Sequence, residues 1–109
     1  MRTRLKICGF TDVEKAVYAA TLGIDAVGLV FYAHSPRNVS IQTAQKIAQA
    51  LPPLVSVVGL FVNEQEDVIR DVIDQVPLNY LQFHGDESGA DCRIYNKPYI
   101  KSISMKNGL

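Results

Sequence analysis

A cysteine stands at the end of the first apolar run of the sequence, and a glycine follows it directly. Cys8 closes the predicted strand 5–8, and Gly9 permits a tight exit from that strand. A thiol at such a place could act as a general base or as a nucleophile once it is ionised. The alternative is a small buried apolar side chain, because free cysteines are among the most buried residues. The sequence leaves both interpretations open.

A lysine lies two positions before this cysteine. Side chains alternate along a strand, so Lys6 and Cys8 share one face of it. In a barrel this face would point to the interior, where a lysine needs a polar partner. The sequence does not identify that partner.

Four more polar residues fall at or just after predicted strand ends, where parallel βα folds bind their ligands. Arg37 could bind a carboxylate or phosphate with its planar guanidinium, although a solvated loop charge is the commoner case. His84 could orient a substrate or share a proton, with Gln82 on the same face; the alternative is a histidine bonded to neighbouring backbone. Asn63 could bind a ligand, but we favour a cap for the helix that follows it.

The elements that would position these residues are βα units repeated four times, followed by one more strand. The apolar runs predict strands at 5–8, 26–31, 55–62, 78–83 and 98–104. Four helices are predicted. The first follows a cap at Thr11 or Asp12, the second covers 41–51 after the cap Ser40, the third runs from the acidic segment 64–67 to 76, and the fourth covers 88–95. The fold class is therefore α/β. This period fits an open doubly wound sheet and also the first half of a closed eight-stranded barrel.

Composition excludes several functional classes. The 109 residues carry no net charge and two distant cysteines without metal-ligand spacing, so we expect no nucleic-acid partner and no metal. No apolar run reaches the length of about 20 residues that spans a bilayer, so we expect no membrane partner. The start of the chain has no signal-peptide pattern, which favours the cytoplasm and free thiols. Glycine-rich nucleotide motifs are absent, and we expect no cofactor.

Five motifs, in order along nearly the whole chain, resemble those of the phosphoribosylanthranilate isomerases, barrel enzymes of tryptophan biosynthesis. They lie at the successive strands, at residues 6–11, at 28–31 with 35–37, and at 58–63, 81–87 and 100–103. The resemblance implies an Amadori rearrangement that opens an aminoaldose to an aminoketose. It implies that the substrate is a small phosphorylated aminosugar.

The resemblance also implies roles for single residues. Cys8 matches the family's general base, and Arg37 matches the residue that holds the carboxylate of the anthranilate ring. His84 matches a histidine of the same pocket, and we place Gln82 and Asn63 with it among the substrate-binding residues. The family's general acid lies at the end of the sixth strand, and its phosphate site lies after strands seven and eight.

Residues 1–109 therefore correspond to the N-terminal part of a single (β/α)8-barrel domain, up to its fifth strand. We expect this polypeptide to be inactive by itself and to associate with itself through exposed barrel edges. The competing hypothesis is a non-catalytic module for binding or assembly, either a half-barrel or an open βα sheet.

Overall fold

Five parallel strands form one sheet whose spatial order is the order of the sequence. The computed structural model describes residues 4–102 of the chain. Its strands are β1 (Lys6–Cys8), β2 (Ala26–Val30), β3 (Ser56–Phe61), β4 (Tyr80–Phe83) and β5 (Tyr99–Lys101), paired in the order β1-β2-β3-β4-β5. Its helices are α1 (Val13–Thr21), α2 (Ile41–Ala50), α3 (Glu66–Gln75) and α4 (Gly89–Arg93). The predicted series of alternating strands and helices is thereby confirmed. Residues 103 and 104 of the predicted fifth strand, and the segment 105–109, lie outside the described residues.

Short polar side chains start three of the helices. Asp12 caps α1 by accepting a hydrogen bond from the backbone of Lys15, at 3.2 Å. Ser40 caps α2 as predicted, and Ser88 caps α4 in a reciprocal capping box. Gln65 is the N-cap of helix α3 but makes no capping hydrogen bond with its side chain, and the first turn carries two carboxylates that favour the positive end of the helix dipole.

The buried core lies on one face of the sheet, which decides between the two predicted architectures. Alternate strand residues such as Leu29, Phe61 and Leu81 are fully buried, and Ala16, Ile47, Val72 and Cys92, one from each helix, join them in a single cluster. All four described helices therefore cover the same face, which we call the outer face. A doubly wound sheet would carry helices on both faces. Sequential strands with helices on one face are the arrangement of a (β/α)8 barrel, here a part of one.

The opposite face of the sheet is only partly covered, since Val58 on it is buried while other side chains are exposed, and we call it the inner face. Strand register aligns Cys8, Gly28, Val58 and Tyr80 in one row across it, and Leu60, Gln82 and Ile100 in the next. No described helix covers this face, and Tyr80 and Ile100 are 40% and 44% exposed. The chemically reactive side chains predicted above share this face with apolar ones.

One detail of the sequence prediction is wrong. Asn63 was expected to cap α3, but Gln65 occupies that position. None of the helices in the part of the chain that the structure describes is long and apolar enough to cross a membrane.

Candidate functional site

The end of β1 places the thiol of Cys8 against the backbone of β2. Cys8 and Gly28 are register partners, and the amide of Gly9 donates to the carbonyl of Gly28 at 2.9 Å. A Cβ atom on Gly28 would collide with the Cys8 sulfur and would lie 3.1 Å from its Cα. The glycine therefore leaves the space that the thiol occupies. Cys8 is partly exposed, whereas the other free cysteine, Cys92, is buried.

The partner of Lys6, which the sequence could not identify, is now visible. Its ammonium donates to the sulfur of Cys8 at 2.9 Å and to the side-chain oxygen of Gln82 at 2.5 Å. The amide nitrogen of Gln82 in turn donates to the hydroxyl of Ser102 at 3.1 Å. On a flat sheet, β1 and β4 would lie three strand spacings or about 14 Å apart. The contact between Lys6 and Gln82 therefore depends on the inward curvature of the sheet.

Arg37 lies beside the same strand end. Gly9 has a φ of +92°, and a Cβ atom there would collide with the aliphatic stem of Arg37. The loop that carries the arginine is tied down, because the amide of Arg37 donates to the hydroxyl of Ser35 at 3.1 Å. The amide of Val39 also donates to the carbonyl of Val30 at 3.0 Å. Within residues 4–102 the guanidinium makes no ion pair, so it can receive an anionic group.

The exits of β3 and β4 form a second part of the site. Asn63 adopts a left-handed conformation with a φ of 49°, which turns its side chain towards the next loop. Its side-chain oxygen accepts from the amide of Asp86 at 2.7 Å, and its amide group packs on Gly85. The backbone of His84 donates to the carbonyl of Phe61 at 2.9 Å, and its imidazole is exposed. Asn63 thus joins two loops, and His84 presents its ring to solvent.

Sequence reasoning missed the carboxylate that holds these loops together. The side chain of Glu87 is only 8% exposed and accepts from the amides of Asn63 at 2.7 Å and Gly85 at 2.9 Å. Lys101 of β5 pairs with it at 3.5 Å and also donates to the carbonyl of Gly85. One side chain therefore connects the ends of three strands. The sequence offered only an acid in an exit loop and a lysine in a later strand, which are too common to be diagnostic.

We expect Glu87→Ala to destabilise the protein by about 3 kcal/mol, because two backbone amides and Lys101 lose a buried partner. Glu87→Gln should cost less, since its amide oxygen still accepts one of the two backbone bonds. Urea denaturation measures both values. Glu66→Ala is a matched control, since this exposed glutamate forms an i,i+4 pair with Arg70, worth about 0.5 kcal/mol, beside its interaction with the dipole of α3. If Glu87→Ala costs no more than Glu66→Ala, Glu87 does not hold the loops.

The second cysteine does not belong to the site. Cys92 is fully buried on the outer face, and this burial raises the pKa of its thiol above the ordinary value. Burial likewise raises the pKa of the nearby Tyr95. Hydrogen bonds from the backbone and the hydroxyl of Ser88 lower the pKa of Asp91, as expected for a capping carboxylate. Of the two thiols, only that of Cys8 is open to chemistry.

The structure brings together some of the predicted residues but not all. Cys8 contacts Lys6, which contacts Gln82, and Arg37 lies beside them against Gly9. Asn63 and His84 lie at the exits of β3 and β4, in the second part of the site. Across the described part of the chain, no group of three or more histidine, cysteine or acidic residues could hold a metal ion.

Parallel strands in sequence order, helices on the outer face only, and reactive side chains at the C-terminal strand ends define part of a (β/α)8-barrel protein. The family model for N-(5'-phosphoribosyl)anthranilate isomerase matches residues 5–108. The chain belongs to this family.

Individual relatives agree with this assignment. The N-(5'-phosphoribosyl)anthranilate isomerase of Pseudomonas fluorescens is 55% identical over 105 residues, which are 96% of this chain and 50% of that protein. The crystal structure of the Thermotoga maritima phosphoribosyl anthranilate isomerase superposes with a TM-score of 0.87 at 45% identity, over 92% of this chain and 50% of the other. A structure of such an isomerase in complex with reduced 1-(o-carboxyphenylamino)-1-deoxyribulose 5-phosphate also superposes with a TM-score of 0.87. The sequence identity is 44%, over 92% of this chain and 53% of the other. The chain thus spans about half the length of the relatives it matches.

Proposed function

We propose that this chain provides the N-terminal half of a phosphoribosylanthranilate isomerase site, in which Cys8 is the general base. The observation that carries the proposal is the partly exposed Cys8 at the C-terminal end of β1, followed by Gly9 against which Arg37 packs. Within residues 4–102 the guanidinium of Arg37 makes no ion pair. Family membership and the complex of a related isomerase with a reduced, phosphorylated analogue of the aminoketose product support the choice of substrate.

The reaction requires one proton donor and one proton acceptor. Protonation of the sugar ring oxygen opens the ring and leaves a C=N bond between the anthranilate nitrogen and the first sugar carbon. A base then removes the proton from the second carbon, and the resulting enolamine tautomerises to the aminoketone. Cys8 in its thiolate form is the proposed base, and the reaction needs neither a redox cofactor nor a metal.

The remaining residues orient the substrate in this proposal. Arg37 binds the anthranilate carboxylate with its guanidinium. His84 lines the same pocket from the end of β4. Gln82 and Asn63 form part of the pocket wall. Their side chains are hydrogen-bonded to neighbouring protein groups, so they shape the pocket and do not provide free polar groups.

The general acid and the phosphate-binding loops come, by family resemblance, from the second half of the barrel. We therefore expect residues 1–109 to show no turnover by themselves. A groove of about 360 Å³ on the inner face is lined by Tyr80 and Ile100 among others, and both are exposed. These exposed apolar side chains favour self-association through the inner face and the sheet edges. The same feature is the basis of the second candidate function, a non-catalytic assembly module. We place the protein in the cytoplasm, which keeps both thiols reduced.

A hybrid protein tests the proposal. In it, this chain replaces the 105-residue segment of the Pseudomonas fluorescens isomerase that it matches. We expect the hybrid to restore growth without tryptophan to a bacterial strain that lacks its own isomerase. The relative's second half expressed without this chain is the control and should not restore growth. A soluble, folded hybrid that fails to support growth would favour the assembly module.

A further inference from the structure

The ammonium of Lys6 lies between the sulfur of Cys8 and the side-chain oxygen of Gln82, at 2.9 Å and 2.5 Å. Both contacts are made on the inner face, at the strand end where the proposed base acts. Among residues 4–102, Lys6 forms no ion pair with a carboxylate. Its positive charge is therefore available to the sulfur.

Gln82 fixes the direction of this lysine. Its amide nitrogen donates to the hydroxyl of Ser102, so its oxygen is left to accept from Lys6. The three side chains come from β1, from β4 and from the residue that follows β5. A hydrogen-bonded series thus runs from Ser102 through Gln82 and Lys6 to the sulfur.

Other titratable groups lie near the inner face. Arg4, Asp25 and Tyr80 line, together with Lys6 itself, the groove at the N-terminal ends of the strands. Arg37 approaches from the loop side against Gly9. Lys6 is the cationic group that the structure places in direct hydrogen-bond contact with the Cys8 sulfur.

We propose that Lys6 stabilises the thiolate form of Cys8 and that Gln82 positions Lys6 for this purpose. A hydrogen bond from an ammonium is stronger to an anionic sulfur than to a neutral thiol, so it favours ionisation. The value of this effect for catalysis rests on the proposed role of Cys8 as general base, but the ionisation itself does not. Gln82 then acts on the reaction through Lys6, as a positioning residue.

The rate of Cys8 alkylation by iodoacetamide as a function of pH tests the proposal. Peptide mapping by mass spectrometry separates Cys8 from the buried Cys92. For Lys6→Met we expect about a tenfold slower alkylation at pH 7, which is the scale of one charge-assisted bond partly screened by water. Lys6→Arg should restore most of the rate, and Gln82→Leu should slow alkylation by a smaller factor.

Lys46→Met is the matched control, since it removes one positive charge from an exposed position of α2 on the outer side. An alkylation profile of Lys6→Met within about twofold of the unmodified protein, or equal to that of Lys46→Met, would overturn the proposal. If circular dichroism shows that Lys6→Met does not fold, Gln82→Leu becomes the test variant. An alkylation profile of Gln82→Leu that equals that of the unmodified protein would then count against the proposal. The alkylation measurement needs no turnover, so it is independent of the isomerase proposal. If alkylation follows the expected pattern but the hybrid protein is inactive, only the isomerase proposal is rejected.

Discussion

Replacing Cys8 by alanine in the hybrid isomerase should lower kcat by about a thousandfold, the range expected for the loss of a general base. KM should change little, because the proposed binding groups, Arg37 above all, remain in place. Steady-state kinetics with phosphoribosylanthranilate measures both constants. The expected pattern is a loss confined to the chemical step, since in the proposed mechanism the sulfur takes the proton of the second sugar carbon.

Cys92→Ala is the control for this experiment, because it removes the other thiol of the chain. Cys92 is fully buried in the core on the outer face, and it is not part of the candidate site at the strand ends. Its truncation should reduce the free energy of unfolding, as deletions of buried side chains do. The kcat should stay within about twofold of the parent value, because Cys92 does not contact the site. A kcat of the Cys8→Ala protein within tenfold of the parent would remove Cys8 from the mechanism.

Gly28→Ala should have the next largest effect on catalysis, because the new methyl group has no space. It would collide with the Cys8 sulfur and approach the Cys8 backbone to 3.1 Å. Backbone cannot rotate away as a flexible side chain can, so we expect a loss of about 2 kcal/mol in the free energy of unfolding. The displaced sulfur should also lower kcat/KM of the hybrid by about a hundredfold, as misplacement of a reacting group by an ångström does.

Gly59→Ala separates crowding of the site from crowding in general. Gly59 lies in the neighbouring strand β3, and a Cβ atom there would meet a side-chain methyl of Leu78 at 2.7 Å. This substitution should also reduce stability, but kcat/KM of the folded protein should be nearly unchanged. Equal losses of kcat/KM in the two variants would show that Gly28 has no special relation to Cys8.

The secondary structure follows from local patterns in the sequence. The continuous apolar run at 26–31 predicts the buried strand β2, and the polar cap Ser40 marks the start of α2. The choice between a doubly wound sheet and a barrel does not follow from these patterns, because both have the same βα period. It was the resemblance that favoured the barrel, and the one-sided core then confirmed it.

The contacts within the site depend on tertiary geometry that local patterns do not contain. Lys6 and Gln82 are 76 residues apart and meet only because the sheet curves. Asn63 looked like a helix cap from its position, but its left-handed backbone turns the side chain to the loop after β4 instead. Glu87 gave no distinctive signal, because its partners are mainly backbone amides, which every residue type except proline carries.

The measurement that tests the central claim most directly is kcat/KM of the purified hybrid isomerase with phosphoribosylanthranilate. The claim is that this chain supplies a working half of the barrel, with its base already in place at the end of β1. We expect a value within about a hundredfold of the parent enzyme, a loss of less than 3 kcal/mol in transition-state stabilisation. A folded hybrid whose turnover does not exceed that of its Cys8→Ala variant would contradict the claim.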